Sequence, residues 1–164
     1  IIYLHEGEQF KFAPQADWGD DFGGQATVND VAGANITVDG TNLVAGKAGW
    51  YLLYIHNGSE RTFTVLEPNV YLIGDTAGEW NVADSHKFTV PTTEDGVFES
   101  PAFANDAELR MCVSIDNFDW WKTEFIISDG NIAYRGRGGD QERVAVKAGQ
   151  KAYLNFAKGT GEIK

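Results

Sequence analysis

The residues whose types most clearly suit the binding of a ligand lie in the stretch D-N-F-D-W-W-K-T-E-F at positions 116–125. Trp120 and Trp121 are adjacent there, with Asn117 and Lys122 close by in the chain. An exposed indole is a large, flat apolar surface whose face attracts partial positive charge. Sugar rings have apolar C–H faces bordered by hydroxyls, so this pattern predicts a surface on which sugars stack. The same residues fit an alternative in which both tryptophans belong to the core.

Strands must position these side chains, because helical signals are nearly absent. Apolar and polar residues alternate in short runs that Gly, Asn and Asp interrupt, which predicts an all-β chain. Adjacent residues of a strand point to opposite faces of the sheet. Trp121 would then share a face with Phe125, which predicts that Trp121 is core and that Trp120 is exposed, unless a turn at Lys122-Thr123 breaks the alternation.

The predicted strands are 2–4, 9–13, 35–38, 50–56, 62–66, 69–74, 86–90, 97–101, 108–115, 124–128, 132–135, 143–146 and 151–157. Helix is predicted to be at most one turn, at 17–21.

A repeat indicates how these strands are grouped. V-A-G-K-A-G at 44–49 recurs as V-A-V-K-A-G at 144–149, and W-G-D-D-F at 18–22 recurs as W-K-T-E-F at 121–125. Shorter matches follow the same order, so the chain is predicted to hold two copies of one module.

The predicted modules are 1–68 and 69–164. Pro68 marks the boundary, because proline disfavours continued strand pairing. The first copy begins late relative to the second, so module one is predicted to lack its first strands. Module two is predicted to be a complete sandwich.

Charge and composition exclude several classes of partner. The net charge is −11 and the sequence pI is about 4.5, so a nucleic-acid partner is not expected. The sequence contains no apolar run long enough to span a bilayer, so no direct membrane insertion is expected in this segment. Cys112 is the single cysteine, which precludes an intrachain disulfide, and its apolar neighbours predict a buried thiol.

Metal, cofactor and catalytic sites are not predicted. Oxygen ligands for Ca²⁺ could come from the D-W-G-D-D run at 17–21, but the spacing of a dedicated loop is missing and a solvated turn is favoured. The three histidines, at positions 5, 56 and 86, are scattered. Carboxylates are abundant and mostly lie in turn-like contexts. A glycoside hydrolase on a β-sandwich, with a paired acid and base, is therefore kept only as an alternative.

The glycine-rich run R-G-R-G-G-D-Q at 135–141 fits no helix-capped phosphate loop. One hypothesis is a hairpin tip that carries two guanidinium groups toward a ligand. The other is a flexible hairpin without a role in binding.

A known family matches the order of these motifs. N-V-Y-L-I-G-D-T-A-G-E-W-N at 69–81 is followed by D-G-V-F at 95–98, D-W-W at 119–121 and a final K-A-G strand. This order resembles the starch-binding modules of the starch-utilisation outer-membrane proteins SusE and SusF. G-E-Q-F-K-F at 7–12, then D-W at 17–18, matches the middle of the same module. The run at 135–141 has no counterpart in the pattern.

The resemblance implies tandem immunoglobulin-like or carbohydrate-binding-module-like β-sandwiches that bind polysaccharide without cleaving it. It also implies display at the surface of the bacterial outer membrane, a lipid anchor upstream, and a role beside other components of a glycan-uptake system. No cofactor is implied. A structural or adhesive immunoglobulin-like module remains an alternative. The predicted binding residues in module two are Trp80, Trp120, Trp121, Lys122, Arg110 and Asn117; in module one they are Trp18 and Lys11.

Overall fold

The computed structural model describes residues 1–17 and 19–164, and its regular structure is almost entirely strand. The only helices in this described part are two single 3-10 turns, Asp84–His86 and Trp120–Lys122. This confirms the predicted all-β fold. The described residues include no helix that is long and apolar enough to cross a membrane. The chain divides into two compact units, Ile1–Pro68 and Asn69–Lys164.

The first unit contains two small sheets. Its strands are β1 (Ile2–Leu4), β2 (Gln9–Phe10), β3 (Thr27–Asp30), β4 (Thr37–Asp39), β5 (Asn42–Val44), β6 (Gly49–Asn57) and β7 (Arg61–Leu66). One sheet has the order β1-β6-β7-β3, in which β3 runs parallel to β7; the other has the order β2-β5-β4.

The core of the first unit lies between these two sheets. Phe63 on β7 and Leu43 on β5 are both fully buried and pack together with Phe22. A second cluster includes Leu4 on β1 and Val65 on β7. The buried side chains alternate along β7, as expected for a strand with one face on a core.

The second unit is built on a seven-stranded sheet. Its strands are β8 (Val70–Leu72), β9 (Phe98–Glu99), β10 (Ala107–Glu108), β11 (Met111–Val113), β12 (Glu124–Ser128), β13 (Asn131–Tyr134), β14 (Ala145–Val146), β15 (Ala152–Asn155) and β16 (Thr160–Ile163). The order of the large sheet is β8-β11-β12-β13-β16-β15-β9, and β10 pairs with β14.

The large sheet folds over at the junction of β13 and β16. These two strands share a single residue pair, Asn131 with Thr160, whereas β15 and β16 pair along their whole length. Gly161 lies where β16 passes over β12, and a Cβ there would stand 2.6 Å from the side chain of Ile127. A glycine is therefore required for this close approach of the two layers.

Several predicted strand limits were wrong, for local reasons. The predicted strand 86–90 begins on His86, the last residue of a 3-10 turn, and forms only isolated bridges at Lys87 and Thr89. The predicted strand 108–115 is interrupted, because the N–H of Leu109 donates to Val144 while the carbonyl of Arg110 accepts from Ile73. The chain changes partner between these two residues.

Strands β3, β5 and β16 were not predicted, and each is only three or four residues long with polar residues in it. The predicted turn at 17–21 includes Trp18, which lies outside the described residues.

Candidate functional site

Trp80 lies at the end of a turn that follows β8. The N–H of Gly74 donates to the carbonyl of Glu79 at 2.8 Å, which closes this turn. Gly74 has φ +82°, and a Cβ on it would stand 3.2 Å from the indole of Trp80. The indole N–H donates to Asp75 Oδ1 at 3.2 Å. The ring is therefore held over the glycine, yet 53% of the residue remains exposed.

Trp120 and Trp121 lie on a 3-10 turn, not on a strand. Asn117, with φ +65°, makes the reversal that precedes this turn, a conformation that asparagine tolerates well. The hydroxyl of Thr123 then ends it, since its Oγ1 lies 2.5 Å from the carbonyl oxygen of Val113 and 3.1 Å from that of Trp120. The helical turn removes the alternation of faces on which the sequence-based assignment depended.

The predicted inward position of Trp121 is therefore wrong. Trp121 is 41% exposed, whereas Phe125, its expected companion, is fully buried on β12. Trp120 is the half-buried member of the pair and packs against a buried cluster formed by Tyr71, Ile73 and Cys112. The alternative in which all tryptophans are core is also wrong, because Trp80 and Trp121 both reach the surface.

The tryptophans of the second unit meet at one open cleft, called here the plate cleft. The ring centroids of Trp80 and Trp120 are 5.4 Å apart, and the ring planes are inclined at 51°. The cleft has a volume of about 400 Å³ and is lined by Trp80, Arg110, Trp120, Trp121, Arg135 and Asp140. It thus combines three indoles with two guanidinium groups and one carboxylate.

Each guanidinium group lies against one tryptophan. The Arg110 guanidinium carbon is 5.8 Å from the ring centroid of Trp120, and that of Arg135 is 5.3 Å from the ring centroid of Trp121. Both separations fall within the range of cation–π contact. Two hydrogen-bond donors that cannot lose their charge therefore stand at the edge of the aromatic surface.

Glu124 holds the two arginines in place. Its side chain is completely buried, and its two carboxylate oxygens accept from Arg110 Nη1 at 2.6 Å and from Arg135 Nη1 at 2.7 Å. Glu124 begins β12, Arg135 follows β13 on the neighbouring strand, and Arg110 precedes β11 on the other side. The buried carboxylate thus links three adjacent strands beneath the plate cleft.

Asp140 provides a second carboxylate. Its Oδ1 and Oδ2 accept from Arg110 Nη1 and Nη2 at 3.1 and 3.2 Å, the two-point geometry of an arginine–carboxylate pair. Arg135 Nη1 is 3.5 Å from Oδ1. The hydrogen bonds from Arg110 hold the pKa of Asp140 below its ordinary value, and the same contact raises the pKa of Arg110. Both groups are charged at neutral pH.

A second cleft, called here the polar cleft, adjoins the first and shares Trp80 and Arg110 with it. Its volume is also about 400 Å³, and its lining includes Asp75, Asp106, Ala107, Glu108 and Arg143. Arg143 donates to both carboxylate oxygens of Glu108, at 3.0 and 2.8 Å. The ammonium of Lys147 lies 2.8 Å from Asp106 and lowers the pKa of that carboxyl.

The structure brings together four of the predicted site residues: Trp80, Trp120, Trp121 and Arg110 line the plate cleft. Lys122 is exposed, with its ammonium 5.3 Å from the ring centroid of Trp121 and 3.5 Å from Asp119. Asn117 is exposed in the preceding turn and lines neither cleft.

The predicted site of module one is described only in part. Lys11 pairs with Asp21 at 2.6 Å, and this hydrogen bond lowers the pKa of Asp21. A shallow cleft of about 310 Å³ is lined by residues 13, 15, 16 and 17, which follow Lys11 closely in the sequence. Trp18, the predicted stacking residue, is outside the described residues.

Glu124 and Asp140 were not among the predicted site residues, and Arg135 was considered only in the hypothesis of a glycine-rich hairpin tip that carries two guanidinium groups. A signal for two of them is present in the sequence, because Asp129-Gly130 is a two-residue hairpin turn with both residues at positive φ. That turn pairs Ser128 with Asn131, so counting back along the hairpin places Glu124 opposite Arg135. No comparable local signal points to Asp140.

No metal or thiol chemistry is indicated. Among residues 1–17 and 19–164, no three His, Cys, Asp or Glu side chains cluster in a way that could hold a metal ion. Cys112 is fully buried, and burial raises the pKa of its thiol to about 12. It packs as a small apolar side chain.

An all-β unit whose open cleft is lined by tryptophan side chains and by fixed guanidinium donors is typical of a carbohydrate-binding module. The chain belongs to the SusF/SusE family of starch-specific carbohydrate-binding modules, whose family model matches residues 1–65 and 69–162. The resemblance inferred from the sequence motifs is thereby confirmed. Members of this family are binding modules and not enzymes, so the glycoside hydrolase alternative is set aside.

Two comparisons give the degree of similarity. The chain is 49% identical over 175 aligned residues to outer membrane protein SusF of Bacteroides thetaiotaomicron, and this match covers all of the chain and 36% of that protein. It superimposes on the crystal structure of SusF from the same organism with a TM-score of 0.94 at 48% identity, covering 99% of the chain and 39% of that structure. The chain therefore spans little more than a third of these relatives.

Proposed function

We propose that the chain binds a starch-like α-glucan, without cleaving it, at the surface of the bacterial outer membrane. Sugar rings stack on Trp80, Trp120 and Trp121, while the guanidinium groups of Arg110 and Arg135 donate hydrogen bonds to sugar hydroxyls. Lys122, whose ammonium lies against the ring of Trp121, supplies a further donor from the rim. The family assignment supports the class of ligand, and the plate cleft supports the mode of binding.

The observation that carries this proposal is the inclined pair formed by Trp80 and Trp120. Tryptophan side chains are usually buried for most of their area. Two that lie together at the surface expose apolar area that a ligand can cover. The C–H faces of a sugar match these rings in size and polarity. Stacking on an aromatic face contributes on the order of 1 kcal/mol beyond the area that it buries.

The electrostatics of the cleft favour binding over hydrolysis. A glycosidase needs a carboxylic acid with a raised pKa beside the scissile bond. In the plate cleft the pKa of Asp140 is lowered by Arg110, and Glu124 is buried beneath the arginines with both oxygens occupied. Neither carboxyl group is arranged to donate a proton to a glycosidic oxygen.

The place of the protein in the cell is proposed from its relatives. The SusF protein that it resembles is named as an outer membrane protein, which suggests display on that membrane with a lipid anchor upstream of this segment. Partners would be an oligo- or polysaccharide and other components of a glycan-uptake system. Neither nucleic acid nor a cofactor has a part in this function.

Two binding modules in tandem would increase the apparent affinity for a polymer. We infer that residues 69–164 form a complete module, that residues 1–68 form one without its first strands, and that Lys11 and Trp18 contribute to a weaker site there. A second site on the same chain binds at high effective concentration once the first is occupied. Such an arrangement suits the capture of a long glycan.

A binding assay with the intact chain tests the proposal. Affinity electrophoresis through gels containing soluble starch should retard the protein, and no reducing ends should be released from the starch. Trp80→Ala should weaken retardation by about tenfold or more, because it removes one of the two paired rings. Tyr134→Ala is a matched control, since Tyr134 is exposed on β13 but lines neither cleft. Equal loss in both variants would contradict the assigned site.

A further inference from the structure

The glycine-rich run at 135–141 belongs to the plate cleft, because both of its ends carry side chains that line the cleft. Arg135 lies at one end of the run, immediately after β13, and Asp140 lies near the other end. We propose that Asp140 makes the cleft selective for neutral glycans by occupying the arginine fork that the carboxylate of an anionic sugar would bind. This specificity role rests on the proposed glycan binding at the same cleft.

The first support is the geometry of the contact between Asp140 and Arg110. Two parallel hydrogen bonds, at 3.1 and 3.2 Å, join both oxygens of Asp140 to both terminal nitrogens of Arg110. This is the arrangement with which arginine recognises a free carboxylate. Asp140 is thus an internal counterpart of the carboxylate that a uronic acid would present.

The second support is the balance of charge around the cleft. Arg110 and Arg135 carry two positive charges, and Glu124 and Asp140 carry two negative charges, so the four side chains sum to zero. Glu124 is completely buried and remains in place whatever binds above it. Removal of the charge on Asp140 alone would leave a net positive charge beneath the indoles, where an anionic sugar could be held.

The third support is that the backbone places Asp140 at this point. Gln141 follows it directly, and the Gln141 side-chain amide donates to the carbonyl of Ala133 on β13 at 2.7 Å. The N–H of Gln141 also donates to Asp140 Oδ1 at 3.1 Å. The end of the glycine-rich run is therefore fastened to the sheet, and the carboxylate is aimed at the arginines.

An anionic glycan would meet two obstacles in this arrangement. Its carboxylate would have to displace Asp140 from Arg110, and it would be repelled by Asp140 if it did not. A neutral sugar needs only hydrogen-bond donors from nitrogens of the same arginines and experiences no such repulsion. Discrimination by a like charge already in the site is a common source of binding specificity.

Two forms of one polymer provide a direct test. Soluble starch is the neutral probe, and the same starch with its primary hydroxyls oxidised to carboxylates is the anionic probe. The chain, Asp140→Asn and Asp140→Ser would be compared on both probes by affinity electrophoresis, with thermal melts to verify folding. Glu162→Gln is the matched control, because it removes one exposed carboxylate that pairs with Lys164 and lines neither cleft.

The expected result is a change in the ratio of affinities. In both Asp140 variants the affinity for oxidised starch relative to neutral starch should rise by about tenfold or more, and rising salt should diminish the gain. Adding Trp80→Ala to an Asp140 variant should abolish the gain in affinity for oxidised starch. That loss would show that the oxidised starch binds in the plate cleft. In Glu162→Gln the ratio should equal that of the unmodified chain.

Three results would overturn the proposal: an unchanged ratio in the Asp140 variants, an equal rise in Glu162→Gln, or a gain that persists without Trp80. Failure of the unmodified chain to bind neutral starch through Trp80 would be a separate result, since it would refute the proposed function from which this role follows.

Discussion

The ring planes of Trp80 and Trp120 are inclined at 51° with centroids 5.4 Å apart. Trp80 is carried by the turn after β8 and Trp120 by the 3-10 turn before β12, so two separate loops build one surface. Because the planes are inclined, a flat ribbon of sugars cannot lie face-on against both rings. A chain whose successive rings rotate relative to one another can contact both.

This inclination predicts a preference for α-linked over β-linked glucans. Maltooligosaccharides turn along their length, whereas cellooligosaccharides of equal size are extended and flat. We expect the α-linked series to bind about tenfold more tightly, which is the effect of losing one stacking contact. Titration calorimetry with both series, matched in length, measures this ratio. Equal affinities would show that the inclination of the rings does not select the shape of the glycan.

Trp120 and Trp121 should differ in what they contribute to stability. Trp120 packs on the cluster of Tyr71, Ile73 and Cys112, so Trp120→Ala should lower the free energy of unfolding by about 2 kcal/mol. Trp121 is exposed, and Trp121→Ala should cost less than about 1 kcal/mol. Both substitutions should weaken starch binding. Urea titrations of the two variants test this order of stability, which is the reverse of the order that strand alternation predicts.

Gly74 supports Trp80, and substitution by alanine should reduce binding. Gly74→Ala combines a strained backbone with a Cβ 3.2 Å from the indole, so we expect a destabilisation of about 1–3 kcal/mol and a displaced ring. Gly159→Ala is a matched control, because Gly159, in the turn between β15 and β16, also has positive φ but has no atom within 4 Å of its Cβ position. The control should lose about 1 kcal/mol of stability, from the backbone strain alone, and keep its starch affinity. A parallel loss of affinity in both variants would assign the effect to general unfolding.

Glu124 should be important for both stability and binding. Glu124→Gln removes the buried charge that two guanidinium groups share, and breaking such a pair costs about 3–5 kcal/mol. The released arginines should also lose their fixed positions against the tryptophans, so affinity should fall. Glu162→Gln removes an exposed carboxylate and should change stability by less than about 0.5 kcal/mol. Equal melting temperatures for the two variants would contradict the structural role of Glu124.

The sequence by itself determined the fold class and the family, and it predicted the kind of ligand surface. Alternating short runs and frequent turn residues predict an all-β chain, because strand periodicity is a local property of the chain. The repeat and the order of motifs indicate paired binding modules. The types of the key side chains, Trp80, Trp120, Trp121 and Arg110, already point to stacking with hydrogen-bond donors. The Asp129-Gly130 turn also carries a signal for the pairing of Glu124 with Arg135, although neither was among the predicted site residues.

Only the tertiary structure decided which faces are exposed and which charges meet. Strand parity assigned Trp121 to the core, but Thr123 ends a 3-10 turn there through a hydrogen bond to the carbonyl of Val113, and both indoles reach the cleft. Asp140 meets Arg110 across thirty positions of sequence. That pairing depends on where a glycine-rich run returns to the sheet. Contacts between side chains that are far apart in the sequence leave no periodic pattern of residue types. The ion pairs of the cleft are therefore visible only in the packed tertiary structure.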